Sequence, residues 1–139
     1  MFKHIAVAND GSEGARKALE FACDLAKLHH AALHMISVEE LPDFPASIDE
    51  VLETKQVENH KFHNVLESAG KIAKAKGVEL QAEVVAGHAA ATIVERVKAL
   101  KADLLVVGFM GHSALYERVI GGTADRLVRL APCPVLVVK

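Results

Sequence analysis

The sequence predicts an α/β domain in which an open, Rossmann-like parallel sheet of five strands is covered by helices on both faces. Short apolar runs alternate along the chain with longer segments whose apolar residues recur at helical spacing. One run, Leu104-Leu105-Val106-Val107, is apolar at successive positions, as expected for a central strand buried on both sides. At 139 residues, the chain is predicted to form one domain over 1–139 with a single core.

The first half of the chain is predicted to supply two strands and two helices. These are a strand at His4–Ala8, a helix after Ser12, a strand at Ala31–Val38 and a long helix from about Ile48 to Lys76. Ser12 is a good N-cap for the first helix, because its hydroxyl can accept a hydrogen bond from a free N–H of the first turn. Pro42 and Pro45 exclude regular structure between the second strand and the long helix, and Gly77 marks the end of that helix.

The second half is predicted to continue the alternation. Its elements are a strand at Val78–Ala86, a helix marked by Ile93, Val94, Val97 and Leu100, a strand at Leu104–Val107, a helix marked by Ala124, Leu127, Val128 and Ala131, and a strand at Val135–Val138. Right-handed crossovers through the helices give a parallel sheet with helices on both faces, for which we expect the strand order 3-2-1-4-5. In such a sheet a ligand binds at the carboxyl ends of the strands where the winding direction reverses, which is between strands one and four.

Two loops meet at that point of the predicted sheet. One contains Asp10, and the other begins at Gly108-Phe-Met-Gly111 and reaches Gly121-Gly122-Thr123 after nine further residues. Glycines allow backbone N–H groups to approach a phosphate closely, and a helix beginning near Gly122 would add unpaired N–H groups and a partial positive charge. The stretch is therefore interpreted as a phosphate cradle, although glycines at strand ends also occur simply as turn residues.

The charge near this cradle is limited. The stretch from Gly108 to Thr123 contains Arg118 and His112 but no lysine, so it is not a Walker loop. Phosphate charge would be offset by backbone N–H groups, by those two side chains and by Mg²⁺ bound mainly through phosphate oxygens and water. Asp10 suits a ribose or a base better than a phosphate, and its alternative role is to stabilise the turn before the first helix.

Composition argues against several other classes of function. The chain has 16 basic and 18 acidic residues with only 4% aromatic residues, which lacks the basic, aromatic surface typical of nucleic-acid binding. Cys23 and Cys133 form no metal-binding or redox pair, and the chain has neither a signal-peptide core nor an apolar run of about 18 residues. We expect a cytoplasmic protein without membrane or nucleic-acid partners.

The histidines favour a structural interpretation over a metal site. His60 and His63 share a helical face, and His29 and His30 are adjacent, but neither pair has a clear third ligand. His88 is a candidate cap for the third helix, and His34 is a candidate buried residue with satisfied hydrogen bonds. No metal site is predicted from protein side chains.

The last strand suggests an interface. Val135–Val138 is apolar on both sides yet lies at the edge of the predicted sheet. An uncovered apolar edge invites pairing with a second copy, which predicts a twofold homodimer through this strand. The alternative is that a helix covers the edge.

The motif in VVGFMGHSALYERVIGGTADRLVRLAPCPVLVV, together with the opening AVANDGS, resembles the nucleotide-binding branch of the universal stress protein family over the whole chain. The resemblance implies an adenine nucleotide alpha hydrolase-like fold and homodimers. It implies that Ala8, Asp10 and Met35 line the adenine and ribose pocket, that Val107 and Gly108 continue it, and that Gly111, His112, Gly121, Gly122 and Thr123 hold the phosphates.

One position departs from the family motif. Gly122 stands where the family has Ser or Thr, and Thr123 follows one residue later. Gly122 keeps a backbone donor but lacks the hydroxyl, so the motif supports binding of ATP, ADP or AMP without a preference among them.

These observations favour an adenine nucleotide-binding protein that acts as a dimeric switch in stress response or signalling. Occupancy of the site would change the dimer surface that a protein partner recognises. Little or no catalysis is expected, and no catalytic residue is assigned. The first alternative is slow ATP hydrolysis, in which Asp10, His112 or Arg118 would orient water or stabilise charge. The second is a nucleotide-free dimeric interaction module.

Overall fold

The computed structural model describes residues 1–40, 48–109 and 120–139, and it confirms the predicted sheet. Five parallel strands are ordered β3-β2-β1-β4-β5. The elements are β1 (His4–Ala8), α1 (Glu13–His29), β2 (Ala32–Glu40), α2 (Ile48–Ala75), β3 (Leu80–Gly87), α3 (Ala89–Leu100), β4 (Leu104–Gly108), α4 (Gly122–Leu130) and β5 (Val135–Val138). All nine predicted elements are therefore present in the described part of the chain, with ends shifted by a few residues.

Side chains that alternate along the strands divide the interior into two layers. On one face, Val7, Met35 and Val106 pack with α1 and α2. On the other, Ile36 and Val107 pack with α3 and α4. Since successive strand residues point to opposite faces, a strand covered on both sides must be apolar at every position, which is why β4 has four successive buried residues.

Local capping explains where several helices begin and end. The Ser12 hydroxyl accepts a hydrogen bond from the Ala15 N–H at 3.1 Å, so the predicted N-cap of α1 is confirmed. The chain leaves α2 through Gly77, whose φ of +70° is costly for residues with a Cβ. His88 occupies the N-cap of α3 but its side chain makes no capping hydrogen bond. The Glu40 carboxylate instead accepts the Ala89 N–H at 3.2 Å.

The predicted apolar stripe of α4 is only partly buried. Ala124 and Leu127 lie in the core, whereas Val128 is 49% exposed. The helix covers the end of the sheet next to the last strand, so only part of its apolar stripe faces the core. Cys23 is buried and Cys133 half-buried, both as free thiols. None of the helices described is long and apolar enough to cross a membrane.

His34 corrects one expectation from the sequence. It is half-buried on β2, and its Nε2 atom is buried without a hydrogen-bond partner among the described residues. The His4 ring lies 6.0 Å away between centroids. Burial, followed by the charge of His4, lowers the pKa of His34, while nearby Glu83 opposes the shift. Burial thus disfavours the protonated form of His34, and its Nε2 atom is not satisfied by a described partner.

This arrangement predicts a loss of stability in acid. Because the pKa of His34 is lower in the folded than in the unfolded chain, the unfolded chain binds more protons at mildly acidic pH. The contribution is complete above the ordinary histidine pKa of about 6.5 and is lost as the pH falls through the folded value. We expect His34→Gln to lose less unfolding free energy than the wild type between pH 7.5 and pH 5, measured by urea denaturation.

The exposed His60 on α2 provides the control, since His60→Gln should follow the wild-type pH profile. Parallel profiles for wild type and His34→Gln would contradict the assignment to His34.

Candidate functional site

A cleft of about 370 Å³ opens at the carboxyl ends of β1 and β4, where the winding direction of the sheet reverses. We call it the β1–β4 cleft. Its described lining residues are Ala8, Asn9, Asp10, Ile36, Val38, Glu40, Lys61, Ala89, Ile93, Val107, Gly108, Gly121, Gly122, Thr123, Ala124 and Leu127. The predicted location between strands one and four is therefore the location of a cavity whose size is typical of small-molecule sites.

Of the residues predicted for the site, seven line this cleft. They are Ala8, Asp10, Val107, Gly108, Gly121, Gly122 and Thr123. Gly111, His112 and Arg118 lie outside the described residues.

Met35 does not line the cleft. It is fully buried in the layer formed with α1 and α2, and its sulfur accepts a hydrogen bond from the Asn9 side-chain amide at 3.3 Å. Because side chains alternate along β2, the residues that face the cleft are Ile36 and Val38. The run from Ala31 to Val38 is almost uniformly apolar, so its pattern does not indicate which alternate residues face the cleft and which face α1 and α2.

Gly108 has a packing role that the glycine motif alone did not reveal. A Cβ added there would lie 2.7 Å from the carbonyl carbon and oxygen of Gly14, at the start of α1. Real Cβ contacts with backbone essentially never reach this distance, so β4 and α1 can approach as they do only without a side chain at 108. By contrast, a Cβ at Gly122 would meet no atom of the described residues within 4 Å.

The N-terminus of α4 forms the polar end of the cleft. Gly121 is its N-cap and, having no side chain, leaves the first turn without a side-chain cap. The N–H of Gly121 donates to the Phe109 carbonyl at 2.7 Å, which holds together the two ends of the loop that follows β4. Helix geometry leaves the N–H groups of Gly122, Thr123 and Ala124 without acceptors inside α4. These donors and the helix dipole favour an anion at this end.

The two carboxylates of the lining are engaged with backbone. Asp10 accepts the Ser12 N–H at 2.9 Å, and Glu40 accepts the Ala89 N–H. Asn9 is buried, and its side-chain oxygen accepts the Gly11 N–H at 2.9 Å. The turn after β1 is therefore fixed by short side chains, so Asp10 performs the turn-stabilising role while it also borders the cleft.

Lys61 of α2 is a lining residue that the sequence analysis missed. It supplies the cationic side chain of the described lining, far along the chain from the glycine motif. A Cβ at Gly11, whose φ is +86°, would lie 2.9 Å from a Val65 methyl carbon and 3.8 Å from the Lys61 Cε. The missing side chain at Gly11 thus lets α2 approach the end of β1. A search for cationic residues outside the motif could have identified Lys61 as a candidate, but only as one of several lysines on that helix.

Comparisons with known proteins agree with this geometry. The sequence profile of the Universal stress protein family matches residues 1–139. The chain is 33% identical to Universal stress protein MJ0531 of Methanocaldococcus jannaschii, over all of this chain and 83% of that protein. It is 32% identical to Universal stress protein YxiE of Bacillus subtilis, with both chains covered in full.

Solved structures share the same architecture. Universal stress protein UspA from Lactobacillus plantarum superposes with a TM-score of 0.86 at 22% identity, covering 99% of this chain and 97% of the other. A universal stress protein crystallised in complex with cAMP superposes with a TM-score of 0.77 at 27% identity, again covering 99% and 97% of the two chains. The fold predicted from the alternation of strands and helices is thereby confirmed.

The contrast between Gly108 and Gly122 can be measured without any ligand. We expect Gly108→Ala to lower the unfolding free energy by about 1–3 kcal/mol, because α1 must move away from β4 to admit the methyl group. Gly122→Ala should raise it by about 0.5 kcal/mol, because the methyl group enters open space and the unfolded chain loses freedom. Chemical denaturation of both variants checks this, and equal stabilities would contradict the packing role of Gly108.

Proposed function

The chain belongs to the universal stress protein family, and from this premise we propose that it binds adenine nucleotides in the β1–β4 cleft. The observation that carries the proposal is that one cleft contains both an apolar cavity and the N-terminus of α4, whose N-cap Gly121 has no side chain. A nucleotide has the matching division into a flat base and a charged phosphate chain. The solved relative in complex with cAMP supports an adenine nucleotide as the ligand class.

The base is assigned to the apolar part of the cleft. Ile36, Val38, Ile93 and Val107 come from β2, α3 and β4 and present aliphatic side chains to the cavity. Burial of the flat base against them removes apolar surface from water. Asp10, at the end of β1, is placed to accept hydrogen bonds from ribose hydroxyls while it keeps its bond to the Ser12 N–H.

The phosphates are assigned to the end of the cleft at α4. There the N–H groups of Gly122, Thr123 and Ala124 and the Thr123 hydroxyl offer donors. Among the described residues, no group of three or more His, Cys, Asp or Glu side chains is arranged to hold a metal ion. Mg²⁺ would therefore take most of its ligands from phosphate oxygens and water.

The open space around Gly122 bears on the phosphate number. The Gly122 N–H would donate to a nucleotide phosphate, and no atom of the described residues lies within 4 Å of an added Cβ to close the cleft at that point. The site thus fits mono-, di- and triphosphates, and the hydroxyl that the family motif places here is absent from the terminal-phosphate end.

We assign the protein a regulatory role with little or no catalysis. Asp10 and Glu40, the carboxylates of the described lining, each accept a backbone N–H group, so the turn after β1 and the start of α3 account for both residues without a catalytic role. Occupancy would instead be transmitted to a protein partner. The end of β4, where the cleft lies, is directly connected to β5. Gly108 pairs with Val138, and the Phe109 N–H donates to the Val138 carbonyl at 3.0 Å. The loop that leads to the phosphate end therefore begins on the strand beside β5.

We further propose that β5 forms a twofold homodimer. It is the last strand of the sheet, and each of its residues from Val135 to Val138 is half-buried. The Pro134 and Val138 carbonyls accept hydrogen bonds from β4, so by alternation the backbone groups of Val135 and Val137 point to the open edge. Phe21 and Leu28 of α1, which packs beside β5, are 50% and 73% exposed. An apolar edge flanked by such side chains favours a second copy over solvent.

The nucleotide proposal is tested by isothermal titration calorimetry with AMP, ADP, ATP and GTP in the presence of Mg²⁺. We expect the adenine nucleotides to bind more tightly than GTP. Val38→Trp should weaken their binding by about tenfold or more, because the indole fills the space assigned to the base. Val84→Trp, on β3 outside the cleft, is the matched control and should bind as the wild type does.

Mass spectrometry of freshly purified, denatured protein complements the titration by identifying a nucleotide retained from the cell. Failure of all the adenine nucleotides to bind ligand-free protein would overturn the proposal.

The dimer proposal is tested by analytical ultracentrifugation of the wild type and Val137→Pro. Proline removes the Val137 N–H that points to the open edge but none of the hydrogen bonds to β4. We expect a wild-type dimer and a variant that is largely monomeric at the same concentration, with circular dichroism showing that the fold is kept. A wild-type monomer, or a variant dimer of unchanged strength, would contradict pairing through β5.

A further inference from the structure

We propose that Lys61 determines how strongly the β1–β4 cleft distinguishes nucleotides by their number of phosphates. The inference rests on the proposed nucleotide function and concerns a residue on α2, outside the glycine motif and outside the strands that form the cleft. It assigns Lys61 the role of a cationic contact to the phosphate chain.

The position of Lys61 is fixed by the packing of its own helix. Phe62, Val65 and Ala69 follow it on α2 and are buried, and Val65 and Ala69 belong to the core layer shared with the sheet and α1. The close approach of Val65 to Gly11 sets the distance between α2 and the end of β1. Lys61 is consequently held at the mouth of the cleft by neighbours that cannot move without disturbing the core.

The side chain itself is long enough to respond to a ligand. Lys61 is half-buried, and its Nζ atom lies 5.2 Å from the centroid of the Phe62 ring, a weak resting contact for an ammonium group. The residue borders two cavities, the β1–β4 cleft and a groove of about 400 Å³ between α1 and α2. Rotation about its side-chain bonds can therefore carry the ammonium into the cleft without moving α2.

The charges of the cleft lining explain why a contact between Lys61 and the phosphate chain would raise affinity. The described lining of the cleft contains the carboxylates of Asp10 and Glu40 and the ammonium of Lys61. Among the described lining residues, Asp10 and Glu40 repel a phosphate chain, and apart from Lys61 only backbone N–H groups and the Thr123 hydroxyl offer donors to it. Each added phosphate raises the cost of that repulsion, so the benefit of one fixed cation grows from adenosine to AMP and to ATP.

The test is a comparison of affinities across a phosphate series. Adenosine, AMP, ADP and ATP are titrated into wild type and Lys61→Met, a change that keeps an unbranched apolar stem but removes the charge. We expect ATP binding to weaken about tenfold, AMP binding about threefold, and adenosine binding less than twofold. The loss for ATP should be larger in EDTA than in Mg²⁺, because the metal ion otherwise neutralises part of the phosphate charge.

Two further variants separate a charge effect from a structural one. Lys61→Arg should restore most of the preference for ATP. Lys71→Met removes an exposed lysine further along α2, which pairs with Glu67 at 3.6 Å, and should leave every affinity unchanged. Affinity for ATP should also fall less steeply with added salt in Lys61→Met than in the wild type.

The outcomes are distinguishable from failure of the nucleotide proposal itself. If the wild type binds the series and Lys61→Met binds it equally well, the role of Lys61 is overturned while the nucleotide site stands. An equal loss for adenosine and ATP would also overturn it, by showing that Lys61 acts on the shape of the cleft. Absence of wild-type binding to every member would overturn the nucleotide proposal, and the role of Lys61 with it.

Discussion

The pairing of β1 with β4 is the constraint on which the rest of the molecule depends. These strands lie side by side although α1, β2, α2, β3 and α3 separate them along the chain. The Asp103 carboxylate, just before β4, accepts the Lys3 and His4 N–H groups at 2.8 and 3.1 Å and fixes the start of the pair. At the other end the helices leave in opposite directions, towards the two faces of the sheet. The cleft is the space that this divergence leaves open.

The sequence was sufficient for the features that follow from local periodicity. Alternation of apolar runs with helical stripes predicted the strands and helices of a parallel sheet, and Ser12 and Gly77 marked helix ends that the structure confirms. The start of α4 at Gly122 was also predictable, because glycines and Thr123 precede a short apolar stripe. Each of these signals is contained in a few neighbouring residues, which is why one sequence could reveal it.

Features that depend on distances between elements could not be predicted from the sequence. The face of the sheet that Met35 occupies depends on how β2 aligns with its neighbours. The sequence of an almost uniformly apolar strand does not indicate this alignment. Lys61 enters the cleft because α2 approaches Gly11 closely, and nothing in the linear order of α2 separates this lysine from Lys71 or Lys74. The unpartnered Nε2 of His34 likewise arises from what surrounds it in space rather than from its neighbours in the chain.

The tight contact between Gly108 and Gly14 affects how the glycine motif should be used to compare related chains. Selection for a stable domain would retain glycine at 108 even in a descendant that had lost its ligand, because the demand comes from α1 and β4. The described residues place no such demand on Gly122, so substitutions there would record changes in what the cleft holds. The first glycine of the motif is therefore a marker of common architecture, and the residue that follows Gly121 is the better record of how binding has diverged.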